Sequence, residues 1–241
     1  MPPAVARKPR HARADDTRTR IFSSAVRLFA EQGYADTTVE RIVRDAGVAK
    51  GTFFVHFATK EAVVTELVRN QIRAARRARD RVLAGGGSPV EALRATVMSL
   101  GAQAGENRAL SRAVVTANIV SSELGGYVES VFDGIIAEMR DDVRSAQRAG
   151  LLATTATPET IAGTLVTSYL GATLHFATAP GAPPLLDLLT PVLEANLAGF
   201  GAKERRRSAG VQIARRHSLP PGRSKSSPRT PPPVRGRVRQ A

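Results

Sequence analysis

The stretch Ala49 to Phe57 turns two phenylalanines, Phe53 and Phe57, to one side of a helix and leaves Lys50, Gly51, Thr52, Phe54 and His56 facing outward or edge-on. An ammonium, a hydroxyl and a backbone bare of side chain can meet phosphate oxygens and base edges. They are not a set that moves protons or attacks carbonyls. The segment is too short and too sparsely apolar to serve only as core. A small helical bundle without a ligand would explain the apolar stripes, but not the exposed lysine, threonine and histidine around Gly51.

The elements that hold this segment are legible in its neighbours. Thr37 followed three residues later by Glu40 can form a capping box, and Val39, Ile42, Val43 and Ala46 then recur at helical spacing. Gly47 suits a residue of positive φ at the helix end, with Val48 tucked behind it. Upstream, Ile21, Ala25, Leu28 and Phe29 mark an amphipathic helix from Thr17 to Gln32, closed by Gly33. Two short helices around a glycine turn are the layout of a DNA-reading helix-turn-helix.

Residues 17–67, through RIFSSAVRLFAEQGYADTTV and then IVRDAGVAKGTFFVHFATKE, resemble the N-terminal domain of the TetR family of bacterial transcriptional regulators. The resemblance implies that Lys50, Gly51 and Thr52 enter a DNA groove. It assigns phosphate contacts to Thr37 and Thr38 at the start of the second helix, to His56, and to Lys60. Phe54 stands where the family usually has tyrosine, and Ala49 where it has a serine or threonine cap; both departures remove a polar group. The basic residues Arg7, Lys8, Arg10 and Arg13 can compensate by reaching an adjacent minor groove.

Other chemistries are poorly supported. The chain has 241 residues and no cysteine, so thiol nucleophiles, disulfides and cysteine zinc sites are excluded. His11, His56, His175 and His217 lack ligand spacing, so no metal or other cofactor is expected. Glu138, Asp141 and Asp142 alternate with Arg140, Arg144 and Arg148, which reads as a solvated charged face; Arg69, Arg73, Arg76 and Arg77 read the same way, with a weak phosphate role as the alternative given their nearness to the helix-turn-helix. No phosphate loop or nucleophile elbow is present, and the chain does not read as an enzyme.

Charge divides the chain. Of a formal net +14, residues 201–241 hold 12 Lys/Arg against one Glu, residues 1–20 hold 6 against two Asp, and the remainder is close to neutral. This suggests a basic arm at 1–16, a helix-turn-helix domain at 17–62, a larger helical domain at 63–200 and a disordered basic tail at 201–241. The tail can hold polyanions nearby or merely aid solubility. No apolar run follows the basic N-terminus, and the uncharged stretch 161–179 is interrupted by hydroxyls, so a cytoplasmic protein without a membrane span is expected.

From residue 60 onward the sequence reads as helices: Lys60 to Leu83 capped by Thr59, Val90 to Ala104, Arg108 to Ser122, Tyr127 to Ala149 after a break at Gly125–Gly126, Pro158 to Phe176, and Leu185 to Phe200 with Pro191 inside. The fold expected is all-α. The last two helices are apolar round much of their circumference and need partners; the resemblance implies that they pair with their copies in a homodimer, which suits a palindromic double-stranded operator. It also implies a small-molecule effector in the helical domain that releases the DNA. Met98, Asn118, Phe132, Met139, Tyr169, Thr173 and His175 could line its pocket, although each also reads as core. The effector's identity is unknown. The alternative is a protein of this fold without small-molecule input, acting architecturally or through a protein partner.

Overall fold

The computed structural model describes residues 10–120 and 122–202, and among them every regular element is helical. The order is α1 (Arg10–Gln32), α2 (Val39–Ala46), α3 (Lys50–His56), α4 (Lys60–Ala84), α5 (Pro89–Gly105), α6 (Arg108–Val120), α7 (Ser122–Arg148), α8 (Pro158–Thr178) and α9 (Leu185–Gly199). Local signals set several boundaries. Thr59 and Thr157 accept backbone N–H bonds from Ala62 and Thr160. Ser88 and Glu91 close a capping box around Pro89 at the first turn of α5.

Two apolar cores organise the helices. The smaller joins Ile21, Ala25 and Phe29 of α1 to Ile42 of α2, Phe53 of α3 and Val64 of α4. The larger is built from α4, α5, α7, α8 and α9, around Leu93, Leu100, Ile135, Met139 and Leu165. Helix α4 serves both: Val63 and Val64 pack in the first core, Val68, Ile72 and Ala75 in the second. A boundary at 62/63 therefore falls inside a continuous helix. Helix α6 also reaches the smaller core, where Ala113 and Ala117 are buried; their methyl-sized side chains let α6 approach closely.

Several expectations are corrected. Helix α1 starts at Arg10, not Thr17, because the run from Arg10 to Asp16 contains good helix formers and no breaker. Arg10 and Arg13 thus lie on a helix rather than an extended arm, while Arg7 and Lys8 lie outside the described residues. Helix α7 starts at Ser122 and runs through Gly125 and Gly126. Each glycine costs about 1 kcal/mol relative to alanine, less than a long helix anchored by Ile135, Met139 and Val143 can bear.

The charged face of α7 is not wholly solvated. The Asp142 side chain is 5% exposed and takes a bidentate pair of bonds from Arg79 of α4, at 2.6 and 2.7 Å, beside an Arg76–Glu138 pair at 2.7 Å. The Asp142 bond, more than any other influence, raises the Arg79 pKa. The tail expected at 201–241 lies, from residue 203 on, outside the described residues.

Candidate nucleic-acid interface

The turn that seats α3 begins with Gly47 at φ 63°, ψ 44°, a conformation that favours glycine. Gly47 N–H donates to Arg44 O at 3.3 Å and Val48 N–H to Val43 O at 3.0 Å, closing the last turn of α2. The Arg20 guanidinium of α1 donates to the carbonyls of Ala46 and Gly47. A cation there meets the negative end of α2. The turn is thus fixed by backbone conformation and by a charge from a neighbouring helix.

Helix α3 is anchored by one fully buried residue, Phe53, whose ring meets Phe54 edge-on at 5.4 Å and Phe57 at 5.9 Å. Its N-cap, Ala49, makes no side-chain capping bond. Lys50 and Gly51 are exposed, Thr52 and His56 half-buried, Phe54 48% exposed and Val55 79% exposed. Val55 was not among the expected site residues. The signal was available: with Phe53 and Phe57 inward, a step of 100° per residue puts position 55 on the outer face. Lys50 is paired with Glu40 of α2, and that bond is the largest influence lowering the Glu40 pKa. Both side chains are more than half exposed, so water or another anion competes easily with the pair.

Two expected phosphate contacts turn out to be internal supports. Thr37 is fully buried; its hydroxyl donates to Gly33 O at 2.7 Å and accepts from the Gln32 amide at 3.0 Å. The N-cap of α2 is Thr38, which accepts from Arg41 N–H at 3.2 Å. With Arg41 three residues on, the expected Thr37–Glu40 capping box does not form. Lys60 points inward as well, donating to Tyr34 O at 2.8 Å and Thr37 O at 3.0 Å, with its ammonium 4.0 Å from the Tyr34 ring centroid. Desolvation lowers its pKa. It fastens α4 to the loop that presents Thr38. Tyr34 completes this support by donating its hydroxyl to Glu61.

The expected effector residues do not form one site. Asn118 and Phe132 line an open cleft of about 560 Å³ between α6, α7 and α8. Tyr169 and Thr173 border a separate void of about 40 Å³. Met139 is sealed in the larger core, Met98 touches the Thr190 hydroxyl at 3.8 Å, and His175 is exposed on α8. Buried apolar packing claims the two methionines, and helical phase turns His175 away from Tyr169. Among the described residues no cluster could hold a metal ion, and no helix is long and apolar enough to cross a membrane.

A solvent-facing helix seated by a glycine turn on a small helical core defines a helix-turn-helix of the DNA-binding class. Residues 21–67 match the sequence pattern of the bacterial regulatory proteins of the tetR family. The HTH-type transcriptional regulator YerO of Bacillus subtilis (strain 168) is 40% identical over 50 residues, 21% of this chain and 17% of YerO. The HTH-type transcriptional regulator UidR of Escherichia coli (strain K12) is 26% identical over 138 residues, 57% of this chain and 69% of UidR. The chain therefore spans less than a fifth of the first relative and about two thirds of the second. Among solved structures, FadR of Thermus thermophilus, a TetR family transcriptional repressor in complex with lauroyl-CoA, is similar with a TM-score of 0.61 at 25% identity, covering 80% of this chain and all of FadR. Residues 21–67 thus carry the N-terminal domain of the bacterial regulatory proteins of the tetR family.

Proposed function

We propose that the chain is a homodimeric, cytoplasmic repressor that reads a palindromic double-stranded operator and is released from it by a small molecule. The observation that carries this reading is the outer face of α3: a helix fastened by Phe53 that leaves Lys50, Gly51, Phe54 and Val55 open to solvent. Lys50 and Thr52 reach base edges, and Phe54 and Val55 offer apolar contact to thymine methyl groups. Thr38 and His56 meet phosphates; Thr37 and Lys60 act behind them as supports. Dimerisation is supported by α8 and α9, whose outer faces carry Leu170, Leu174 and Val192, each 43–47% exposed, beside Gly171 and Ala195. A two-fold dimer presents two reading helices to two half-sites.

Effector control is supported by α6, which borders the cleft through Val115, Asn118 and Ile119 and enters the reading-head core through Ala113 and Ala117. A ligand that displaces α6 thereby moves the core on which α3 rests. The FadR relative was solved with lauroyl-CoA, in keeping with a ligand-responsive helical domain. Binding-site selection with the full-length protein tests the reading. It should return a two-fold symmetric consensus; enrichment of no consensus would overturn sequence-specific reading.

A further inference from the structure

The reading face carries an ion pair that contacts to phosphates and thymine methyls leave unexplained. Of the side chains of α3 only Lys50 is permanently charged, and it meets Glu40 of α2. Arg44 lies one turn beyond Glu40 on the same helix, the usual place for a partner. Among the described residues, however, the ion pair of Glu40 is the one across the turn, with Lys50. Glu40 sits in the first turn of α2, where the positive end of the helix favours its ionised form. Both side chains are more than half exposed, and next to Lys50 the exposed Gly51 has open space where a side chain would stand. A carboxylate on this face repels phosphates, so it weakens binding to any DNA that gives it no donor. The pair sets a donor and an acceptor one hydrogen bond apart. The major-groove edge of a G·C pair does the same, with guanine O6 beside the cytosine N4 amino group and guanine N7 as a second acceptor; adenine offers an ammonium N7 alone.

We propose that Lys50 and Glu40 read one G·C base pair in each half-site as a unit, the ammonium donating to guanine O6 and N7 and the carboxylate accepting from cytosine N4. Glu40 is then a specificity-determining residue that lies outside the reading helix. It holds Lys50 off the phosphates of unrelated sequences, because the ammonium already has an anion. It also rejects a base pair with no donor in its reach, because the carboxylate is then left desolvated and unpartnered. The inference deepens the operator-reading proposal by naming a base pair that this face recognises, and it rests on that proposal.

Binding-site selection with the full-length wild type, Lys50→Ala and Glu40→Ala tests it first. The consensus position that relaxes in Lys50→Ala locates the base pair. That position should be G·C in the wild type and should relax in Glu40→Ala as well, the preference for G·C over A·T there falling about tenfold in each variant. A palindrome carrying N4-methylcytosine at that position, where a methyl replaces the groove-facing amino hydrogen, comes second. It should bind the wild type about tenfold more weakly than the unmodified palindrome, and Glu40→Ala within about twofold of it. Glu40→Gln keeps an acceptor without the charge and should stay sensitive to the methyl. The loss of preference should persist at high salt, whereas simple repulsion by Glu40 would shift all sequences alike and fade. A Lys50→Ala consensus that relaxes nowhere, a folded Glu40→Ala protein with the wild-type consensus, or equal effects of the methyl on wild type and Glu40→Ala would each overturn the proposal. A two-fold symmetric consensus on which Glu40 has no influence sinks this inference alone. A wild type that selects no consensus sinks the operator reading, and this inference with it.

Discussion

Replacing Gly47 with alanine tests how the α2–α3 turn is held. At φ 63° an alanine occupies the left-handed region, at about 1–2 kcal/mol. Its Cβ would lie 3.2 Å from Arg20 Nη2. The guanidinium is the far end of a flexible side chain and can yield, so weakening its bonds to Ala46 O and Gly47 O adds less than about 1 kcal/mol. The sum is about 2 kcal/mol, or about 4–8 °C in melting temperature for an ordered region of this size. Gly33→Ala is the control. Gly33 has φ 87° and open space around a built Cβ, so it bears the backbone cost alone. Urea denaturation of both variants, repeated with Arg20→Met, isolates the cation's share. The reasoning fails if Gly47→Ala is neutral, or if it remains worse than Gly33→Ala once Arg20 is gone.

Neighbouring residues on α9 should behave in opposite ways. Val192→Arg, on the 43%-exposed outer position, should give a folded monomer by light scattering; Leu193→Arg, at 1% exposure, should unfold the chain by burying an unpaired charge. A folded monomer from the second or a stable dimer from the first would contradict the assigned faces. Glu40→Gln removes the partner of Lys50 and should raise DNA affinity about two- to fivefold at low salt, with the gain vanishing at high salt; a salt-independent effect would point elsewhere. Tyr34→Phe should cost about 1–2 kcal/mol at neutral pH by removing the hydroxyl bonded to Glu61. Burial alone would raise the Glu61 pKa, but the Tyr34 bond and its other hydrogen bonds leave it below the ordinary 4.5. A depressed carboxylate stabilises the fold above its unfolded pKa and stops doing so as pH falls through the folded one, so the Tyr34→Phe deficit should shrink on acidification below about 4.5. A deficit that grew in acid would refute this assignment.

Signals confined to one or two turns were the most legible part of the fold. Gly47, Thr59, Thr157 and the Ser88–Pro89 pair announce helix ends because the hydrogen bonds that satisfy those ends are made within four residues. Phe53 and Phe57 reveal the phase of α3 for a similar reason. Distant contacts were hidden. Thr37 and Thr38 are adjacent residues of one type, and only the packing of α1 against the loop buries the first and leaves the second to cap α2. Asp142 resembles the acids around it until α4 crosses α7 and brings Arg79 to it. The two alanines of α6 read as ordinary helix formers, yet they join the cleft-lining helix to the core that seats α3. Lys60, expected at a phosphate, became a support because two carbonyls from a loop 23–26 residues earlier converge on its ammonium.

The central claim is that α3 reads base edges. It is tested most directly by measuring affinity for the selected palindrome and for a scrambled duplex, with the wild type and with Lys50→Ala, Thr52→Ala and Val55→Ala, at one salt concentration. The account predicts that Lys50→Ala and Thr52→Ala, and Val55→Ala wherever a thymine methyl lies opposite, lose about 1–3 kcal/mol on the palindrome for each specific contact removed, with little change on the scrambled duplex. Equal losses on both duplexes, or unchanged affinity for the palindrome, would contradict it.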